Sequence, residues 1–394
     1  MDLRYSESEE RFRKELREWL AGALPTLPPK PPADAWDDRR DYDTGWQRKL
    51  FDAGYAGISW PVEYGGRGAT LVEQLVYLEE TTRAGAPYVG VNFVGTLHAG
   101  PTIMTEASPE QKDEHLPRIL RGEEVWCQGF SEPNAGSDLG SLTCRGVRDG
   151  DEYVVTGQKI WTTYAQIADW CELLIRTDPE APKHKGITWV MFPMGTPGIE
   201  IRPINTITGT SEFSEVFFDE ARVPVANRVG AENDGWRVAM VTFGFERGTA
   251  FVSDLVETDR LISELVTLAR LVTRGSATAW DDVALRREVG HLQAEMDALW
   301  AMTKRNLSQA ARHGVPGPAG SVMKVAYSEL FQRVTDLAMR ILERGGLSME
   351  DVGDWPSGIF VEERLRSTSF TIAAGTSQIQ RNIIAERILG LPRE

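Results

Sequence analysis

Cysteine is scarce in this sequence. Among 394 residues there are three, Cys127, Cys144 and Cys171. They show neither CxxC spacing nor a neighbouring histidine cluster, which a disulfide framework or a zinc site would require. We therefore expect no bound metal, and we expect the three cysteines to be small residues of the core.

Positive charge is in the minority, and long apolar runs are missing. Lys and Arg total 43 against 58 for Asp and Glu, a formal charge of −15, so no general attraction to nucleic acid or to an anionic membrane is expected. An anionic ligand would need a local basic pocket. The first 20 residues are charged and helical in pattern, unlike a secretory signal, and no uncharged apolar stretch reaches about 18 residues. A cytoplasmic enzyme is the expectation.

The residue pattern changes twice along the chain. After an opening helix and a proline-rich break at residues 25–32, helical stretches alternate with glycine-rich turns to about residue 120. From about 125 to 225, short runs rich in Val, Ile, Thr, Tyr and Trp predict strands. Within them, Asp149-Gly150 suits a tight hairpin turn and favours antiparallel pairing. Long helical patterns return at residues 236–250, 252–273, 283–313 and 321–344.

This order predicts an α+β fold of three domains. We expect an N-terminal helical domain at residues 1–123, a central antiparallel β-barrel-like domain at 124–233, and a C-terminal four-helix bundle at 234–394. No GxGxxG lies between a strand and a helix, so a Rossmann nucleotide site is not supported.

Two segments of the β region could carry chemistry. Residues 130–141 form a loop of small and hydroxyl-bearing residues, which can direct several backbone amides at an anionic group. Residues 157–163 place the indole of Trp161 and two threonine hydroxyls at the end of a strand, where they could cover a flavin ring and bond its polar edge. Taken singly, the loop is an ordinary connection and the indole a core residue.

Together with three other segments, these two resemble the acyl-CoA dehydrogenase family. The resemblance extends over nearly the whole chain and keeps the family's order. The segments are SWPVEYGG at 59–66, SEPNAGSD at 131–138, KIWTT at 159–163, FER at 245–247 and GTSQIQR at 375–381.

The resemblance implies an FAD site and an acyl-CoA site. It places Ser131 and the backbone of its loop against the isoalloxazine and sets Trp161 and Thr163 beside the ring. Ser137 and Arg247 resemble contacts to the CoA part of the substrate. The full set of cofactor contacts that it implies is Gln128, Phe130, Ser131, Trp161, Thr163, Thr376 and Gln378.

The family reaction, α,β-dehydrogenation to a trans-2-enoyl-CoA, needs a carboxylate base for the α proton while flavin N5 takes the hydride. In many relatives this carboxylate precedes the Gly-Thr of the tail, but here Ala374 stands there. The other family placement, resembling isovaleryl-CoA and long-chain acyl-CoA dehydrogenases, is Glu246. Its neighbours at helical spacing include Thr242 and Phe243 and carry no charge, which suits a desolvated carboxylate. A glutamate on a solvated helix face is the alternative.

The assembly and the electron acceptor follow from the resemblance as well. It implies a homotetramer as the first choice, and electron-transfer flavoprotein as the acceptor. Many relatives carry an Arg-x-x-Phe-Gly loop that contacts the neighbouring subunit's FAD, whereas residues 273–280 here lack Phe-Gly. Related steroid side-chain enzymes that lack the tail glutamate include mixed tetramers, so two further readings stay open: a non-catalytic subunit that completes a partner's FAD site, and a flavin-dependent acyl-CoA oxidase. The shape of the acyl group is left open too.

Overall fold

The computed structural model describes residues 5–87, 90–246, 251–313 and 319–392. They fall into two compact units, and neither is continuous in sequence. Unit 1 comprises Met1–Lys14, Leu71–Ala84 and Arg247–Glu394; unit 2 comprises Glu15–Thr70 and Gly85–Glu246. A helical segment from the first quarter of the chain thus belongs with the C-terminal helices. The three domain boundaries expected from the sequence stay a prediction.

Helices make up the N-terminal and C-terminal parts of the described chain, as predicted. In order they are α1 (Glu7–Ala23), α2 (Trp36–Asp52), α3 (Leu71–Arg83), α4 (Gly100–Glu106), α5 (Pro109–Leu120), α6 (Gly235–Glu246), α7 (Val252–Leu271), α8 (Val283–His313), α9 (Ala319–Leu342), α10 (Ser357–Phe370) and α11 (Ser377–Arg387). The last four belong to unit 1 together with α3 and α7. The expected four-helix arrangement itself stays a prediction.

The central region is a sheet. Its strands are β1 (Trp126–Gly129), β2 (Arg145–Asp149), β3 (Glu152–Thr163), β4 (Trp170–Arg176), β5 (Ile187–Pro193), β6 (Ile199–Ile204), β7 (Phe213–Pro224) and β8 (Arg228–Val229). The order is β6-β7-β3-β2-β4-β5-β8, with β1 added beside β4. The predicted hairpin is confirmed, since Asp149 pairs with Glu152 and Gly150 has φ +63°.

The barrel-like, wholly antiparallel description was wrong in two respects. Within the described residues the sheet is open, because β6 and β8 end the strand order and do not pair with each other. It is also mixed, because β1 pairs with β4 in parallel, as does β2 at Arg145 and Arg176. A parallel pair needs a long connection rather than a tight turn. The β2–β3 hairpin lies within the connection from β1 to β4 and provides that length.

Apolar side chains of the sheet form the core of unit 2. Alternate residues of β3, such as Tyr153 and Val155, are fully buried, as period-two patterning requires. The three cysteines are buried in the same core, which confirms their expected role. Burial raises the pKa of Cys144 to about 11, so its thiol stays protonated at neutral pH.

The core of unit 1 is built from long helices. Leu265 and Leu268 of α7 and Leu330 and Val334 of α9 have no exposed surface, and they belong to one apolar cluster that extends to α8. Their spacing of three or four residues is that of one helix face. Among the described helices, none combines the length and the apolar character needed to span a bilayer.

The segment at residues 59–66 owes its composition to one indole in unit 2. Trp60 is 1% exposed, and its ring nitrogen donates to the carbonyl of Thr96 at 2.9 Å. A Cβ added at Gly66 would lie 2.4 Å from the Cβ of Trp60, and one added at Gly100 would lie 2.2 Å from its ring. The loop at Gly66 and the first turn of α4 at Gly100 therefore close around Trp60 only because both positions are glycine.

We expect Gly100→Ala to destabilise unit 2, because the new methyl group would force the Trp60 indole out of its position. The cost should be about 1–3 kcal/mol, typical of overpacking in a rigid core. Gly45→Ala in α2 is the matched control, because a Cβ there meets nothing within 4 Å. It should stabilise by about 0.5–1 kcal/mol through helix propensity. Denaturation midpoints that move equally for both variants would contradict this packing account.

Candidate functional site

The most unusual backbone of unit 2 lies at the end of β3. Pairing with β7 steps from Lys159 opposite Val216 to Thr162 opposite Ser214, so β3 carries one extra residue there. Such a bulge bends the strand and redirects a side chain. Trp161 has φ +62° and is 56% exposed, although tryptophan rarely tolerates either condition. The bulge therefore presents a flat indole to its surroundings at a cost in backbone strain.

The loop after β1 is held against this bulge. The amide of Ile160 donates to the carbonyl of Ser131 at 2.9 Å, and the amine of Lys159 donates to the carbonyl of Phe130 at 3.1 Å. Glu132 and Ala135 exchange backbone hydrogen bonds of 3.0 and 3.1 Å, which closes the turn that follows. The loop at 130–141 and the strand end at 157–163, the two segments singled out in the β region, are thus brought together.

A buried ion pair joins the same two segments. The Lys159 amine, with 0% exposure, lies 2.9 Å from a carboxylate oxygen of Glu132. That carboxylate also accepts from the amide and hydroxyl of Thr143, at 2.7 and 2.9 Å, and from the amide of Cys144 at 2.8 Å. Burial opposes the charge of Glu132, but Lys159 and these donors outweigh it and hold the pKa of that carboxyl below its ordinary value.

Other predicted residues lie on the same unit. Phe130 is 3% exposed and meets the ring of Phe243 edge-on at 5.8 Å, which joins the loop to α6. Gln128 donates to a carboxylate oxygen of Glu172 at 2.7 Å. Ser137 is exposed. Thr163 pairs with Phe213 of β7.

For Glu246, the expected base, the structure describes the position of the backbone only. Glu246 is the last residue of α6. Arg247, the expected contact to CoA, lies outside the described residues.

The two tail residues lie on unit 1, where they begin α11. The hydroxyl of Thr376 accepts from the amide of Ile379 at 3.2 Å and caps the helix, whereas Gln378 is exposed. Ala374, the position without a carboxylate, has φ +52°. The turn is held by Lys324, whose buried amine donates to the carbonyl of Gly375 at 2.7 Å. Burial lowers the pKa of Lys324 to about 8.

Three polar residues of these sites were not singled out from the sequence: Glu132, Lys159 and Lys324. A signal existed for Lys159, since it continues the buried alternation of Tyr153 and Val155 and so had to face the core. A charged residue on such a face requires a partner. Which partner it takes could not be read from the pattern, because Glu132 is 27 residues away.

The residues of unit 2 fit a planar cofactor. Trp161 offers an exposed aromatic face, and the bulge that carries it is bonded to the loop of Ser131, a half-buried hydroxyl residue. An aromatic face of this kind suits stacking of a ring such as isoalloxazine.

We expect Lys159→Met to destabilise unit 2 by about 3–5 kcal/mol at pH 7, because it leaves a buried carboxylate without its cation. Since the folded-state pKa of Glu132 is depressed, the wild-type contribution is full above the unfolded value of about 4.3 and is lost as pH falls through the folded value. Without Lys159, burial raises the pKa of Glu132 instead, so this carboxyl of the variant takes up a proton as pH falls and the penalty of Lys159→Met should shrink toward pH 4.

Denaturant titrations at pH 7, 5 and 4 would measure this. The control is Lys159→Met with Glu132→Gln, which removes both charges and should recover part of the loss. A penalty that does not change with pH, or a double variant no better than the single one, would contradict the ion-pair account.

Comparisons with known proteins agree with one family over the length of the chain. Residues 6–123, 127–221 and 233–389 match the N-terminal, middle and C-terminal domains of acyl-CoA dehydrogenases. Acyl-CoA dehydrogenase IpdE1 of Mycobacterium tuberculosis is 40% identical, over 98% of each chain. Isovaleryl-CoA dehydrogenase of Pongo abelii is 27% identical, over 96% of this chain and 88% of the relative.

Solved structures agree. The ChsE4–ChsE5 complex of Mycobacterium tuberculosis matches at 32% identity with a TM-score of 0.85, and the Tcur3481–Tcur3483 steroid acyl-CoA dehydrogenase matches at 31% with 0.84. Both matches cover 100% of each chain. The chain therefore belongs to the acyl-CoA dehydrogenase family, FAD-dependent oxidoreductases that act on a CH–CH group.

Proposed function

We propose that this chain oxidises an acyl-CoA thioester to the trans-2-enoyl-CoA, with Glu246 as the base that takes the α proton. The observation that carries the proposal is the bulge of β3, which presents Trp161 at positive φ beside the loop of Ser131. Neither stability nor packing requires a strained, exposed indole, so a ligand that stacks on it gives the feature a purpose. Bound FAD would supply the hydride acceptor, flavin N5.

Several residues of the chain would hold the cofactor. In unit 2, Trp161 would cover a face of the ring, while Ser131 and Thr163 would bond its polar edge and Gln128 and Phe130 would line the approach. In unit 1, Thr376 and Gln378 would contribute contacts from the start of α11. The Lys159–Glu132 ion pair would keep the Ser131 loop in register with the bulge, without touching the ligand.

The position of Glu246 supports its assignment as the base. It ends α6, and the preceding turn supplies Thr242, which is fully buried, and Phe243, which is half-buried. A carboxylate in uncharged surroundings is a stronger base toward a carbon acid than one in water, because desolvation disfavours its charged form. The other family position is Ala374, which cannot accept a proton.

The substrate class is suggested by relatives. One of the similar structures, at 31% identity, is that of a steroid acyl-CoA dehydrogenase. We propose that this chain likewise takes a bulky, ring-bearing acyl group, with Ser137 and Arg247 toward CoA and electron-transfer flavoprotein as the acceptor. An oxidase of the same fold is the alternative; it differs in whether oxygen reaches the reduced cofactor.

A mixed assembly is the second candidate, and one loop favours it. Residues 273–278, where many relatives carry Arg-x-x-Phe-Gly, form a short hairpin of β9 (Thr273–Arg274) and β10 (Ala277–Thr278). Arg274 donates to the carbonyl of Arg340 at 3.0 Å and pairs with Glu343 at 3.1 Å, so the loop is tied to its own unit. We therefore propose a tetramer in which a homologous second chain takes part, with the homotetramer as the alternative.

Glu246→Gln should lower the rate constant of flavin reduction by about 10²- to 10⁴-fold, since glutamine keeps the size of glutamate but cannot take a proton. FAD content and acyl-CoA affinity should remain. Stopped-flow absorbance after mixing with substrate measures the reduction step. Glu264→Gln is the control, because Glu264 forms a surface ion pair with Arg260 on α7. Reduction at the wild-type rate in Glu246→Gln would remove Glu246 from the mechanism.

Purification should yield a yellow oligomer that contains noncovalent FAD, from the chain alone or co-expressed with a homologous chain. Light scattering and native mass spectrometry report the assembly. A panel of steroid-type, branched and straight-chain acyl-CoAs with an artificial acceptor reports the substrate, and the steroid-type thioester should bleach the flavin at the lowest concentration. A colourless monomer that gains no absorbance from added FAD, with or without the second chain, would contradict the proposal.

A further inference from the structure

Two contacts in unit 2 establish how α4 and α6 run beside each other. The carboxylate of Glu106 meets the guanidinium of Arg237 through two hydrogen bonds of 2.7 and 2.8 Å. One turn earlier on α4, the hydroxyl of Thr102 lies 2.8 Å from that of Thr242, and both residues are 0% exposed. Residue numbers fall along α4 as they rise along α6, so the two helices are antiparallel.

If this register is extended by one more turn, a histidine of the first helix and a glutamate of α6 lie opposite each other. Four residues before Thr102 is His98, and four residues after Thr242 is Glu246. The helix does not stop at the start of α4, because a π-helical turn, Gly95–Ala99, leads directly into it. The hydroxyl of Thr102 donates to the carbonyl of His98 at 2.8 Å, as on a continuous helix. Turns of π-helix inside longer helices occur frequently at functional sites.

His98 is backed on its other side by a buried carboxylate. Its Nδ1 lies 3.8 Å from an oxygen of Glu172, a residue of β4 with 0% exposure. Gln128 of β1 donates to the same oxygen at 2.7 Å and lies 3.5 Å from Nδ1, and the ring of Phe93 meets the imidazole edge-on. Counting back along α6 from Glu246 and forward along α4 from His98, the first charged residues are Arg237 and Glu106, and these two are paired with each other.

We propose that His98 is a positioning residue for Glu246: it meets the base from the antiparallel helix, with the buried carboxylate of Glu172 on the other side of its ring. This rests on the proposed function. A protonated imidazole donates from both nitrogens, so one N–H can bond Glu246 while the positive charge, 3.8 Å from Glu172, favours the ionised form of both carboxylates. Desolvation makes Glu246 a stronger base but also favours its protonated form at neutral pH; the imidazolium would offset that second effect and keep the carboxylate ionised and correctly aimed.

The first test is the pH dependence of flavin reduction in His98→Gln. Glutamine can still donate one hydrogen bond but carries no charge. We expect FAD and acyl-CoA binding to persist, the reduction rate constant at pH 7 to fall about 10- to 100-fold, and the acidic limb of the profile to move to higher pH. His115→Gln is the matched control: His115 likewise faces a carboxylate, Glu124 at 2.9 Å, and is buried, but it belongs to α5. It should leave the profile unchanged.

The second test does not depend on turnover. The chain contains five histidines, so ¹³C labels at imidazole Cε1 can be assigned from single His→Gln variants. Glu246→Gln should shift the titration midpoint of the His98 signal and leave that of His115 in place. An unchanged His98 midpoint would overturn the proposal even if His98→Gln does not fold.

The outcomes separate the two assignments. Normal flavin reduction in Glu246→Gln would mean that Glu246 is not the base, whatever His98 does. Loss of reduction in Glu246→Gln, combined with an unchanged pH profile in His98→Gln, would leave the base in place and overturn only the role of His98. Three results together would establish the pairing of His98 with Glu246: loss of flavin reduction in Glu246→Gln, a shifted pH profile in His98→Gln, and a shifted titration midpoint of the His98 signal in Glu246→Gln.

Discussion

The buried contact between Lys159 and Glu132 is the interaction on which the geometry of the β unit depends. An amine with no exposed surface must find a carboxylate, and Glu132 must find donors for its remaining lone pairs. Together they secure the loop after β1, the start of β2 through Thr143 and Cys144, and the strand that leads into the bulge. The family segments at 131–138 and 159–163 therefore contain the two partners of this ion pair as well as candidate ligand contacts.

Two of the residues with strained backbone lie where ligand contacts are proposed. Trp161 in unit 2 and Ala374 in unit 1 both adopt positive φ, and each lies within or next to a family segment. In both cases neighbouring residues hold a backbone conformation that the residue itself disfavours. Trp161 lies in the bulge between Lys159 and Thr162. The carbonyl of Ala374 accepts a hydrogen bond of 2.8 Å from the side chain of Gln380. Backbone that is fixed in this way presents a surface without having to reorganise when a ligand arrives.

Local patterns predicted the local structure well. The hairpin at Gly150 followed from a turn that tolerates positive φ, and the long helices of unit 1 followed from apolar residues at helical spacing. The open, mixed sheet was not predicted because the pairing of each strand depends on contacts with strands that are distant in sequence. The four residues of β1 do not indicate by themselves that this strand pairs in parallel with β4, more than 40 residues further along the chain.

By itself the sequence determined the family, the order of helices and strands, and the identity of the residues that could serve as base and cofactor contacts, because these depend on residue type and short-range spacing. Only the tertiary structure decided which of them meet. Lys159 pairs with Glu132, 27 residues away, and Thr102 meets Thr242, 140 residues away. Such pairings depend on how strands and helices pack, and packing joins residues whose separation along the chain carries no periodic signal.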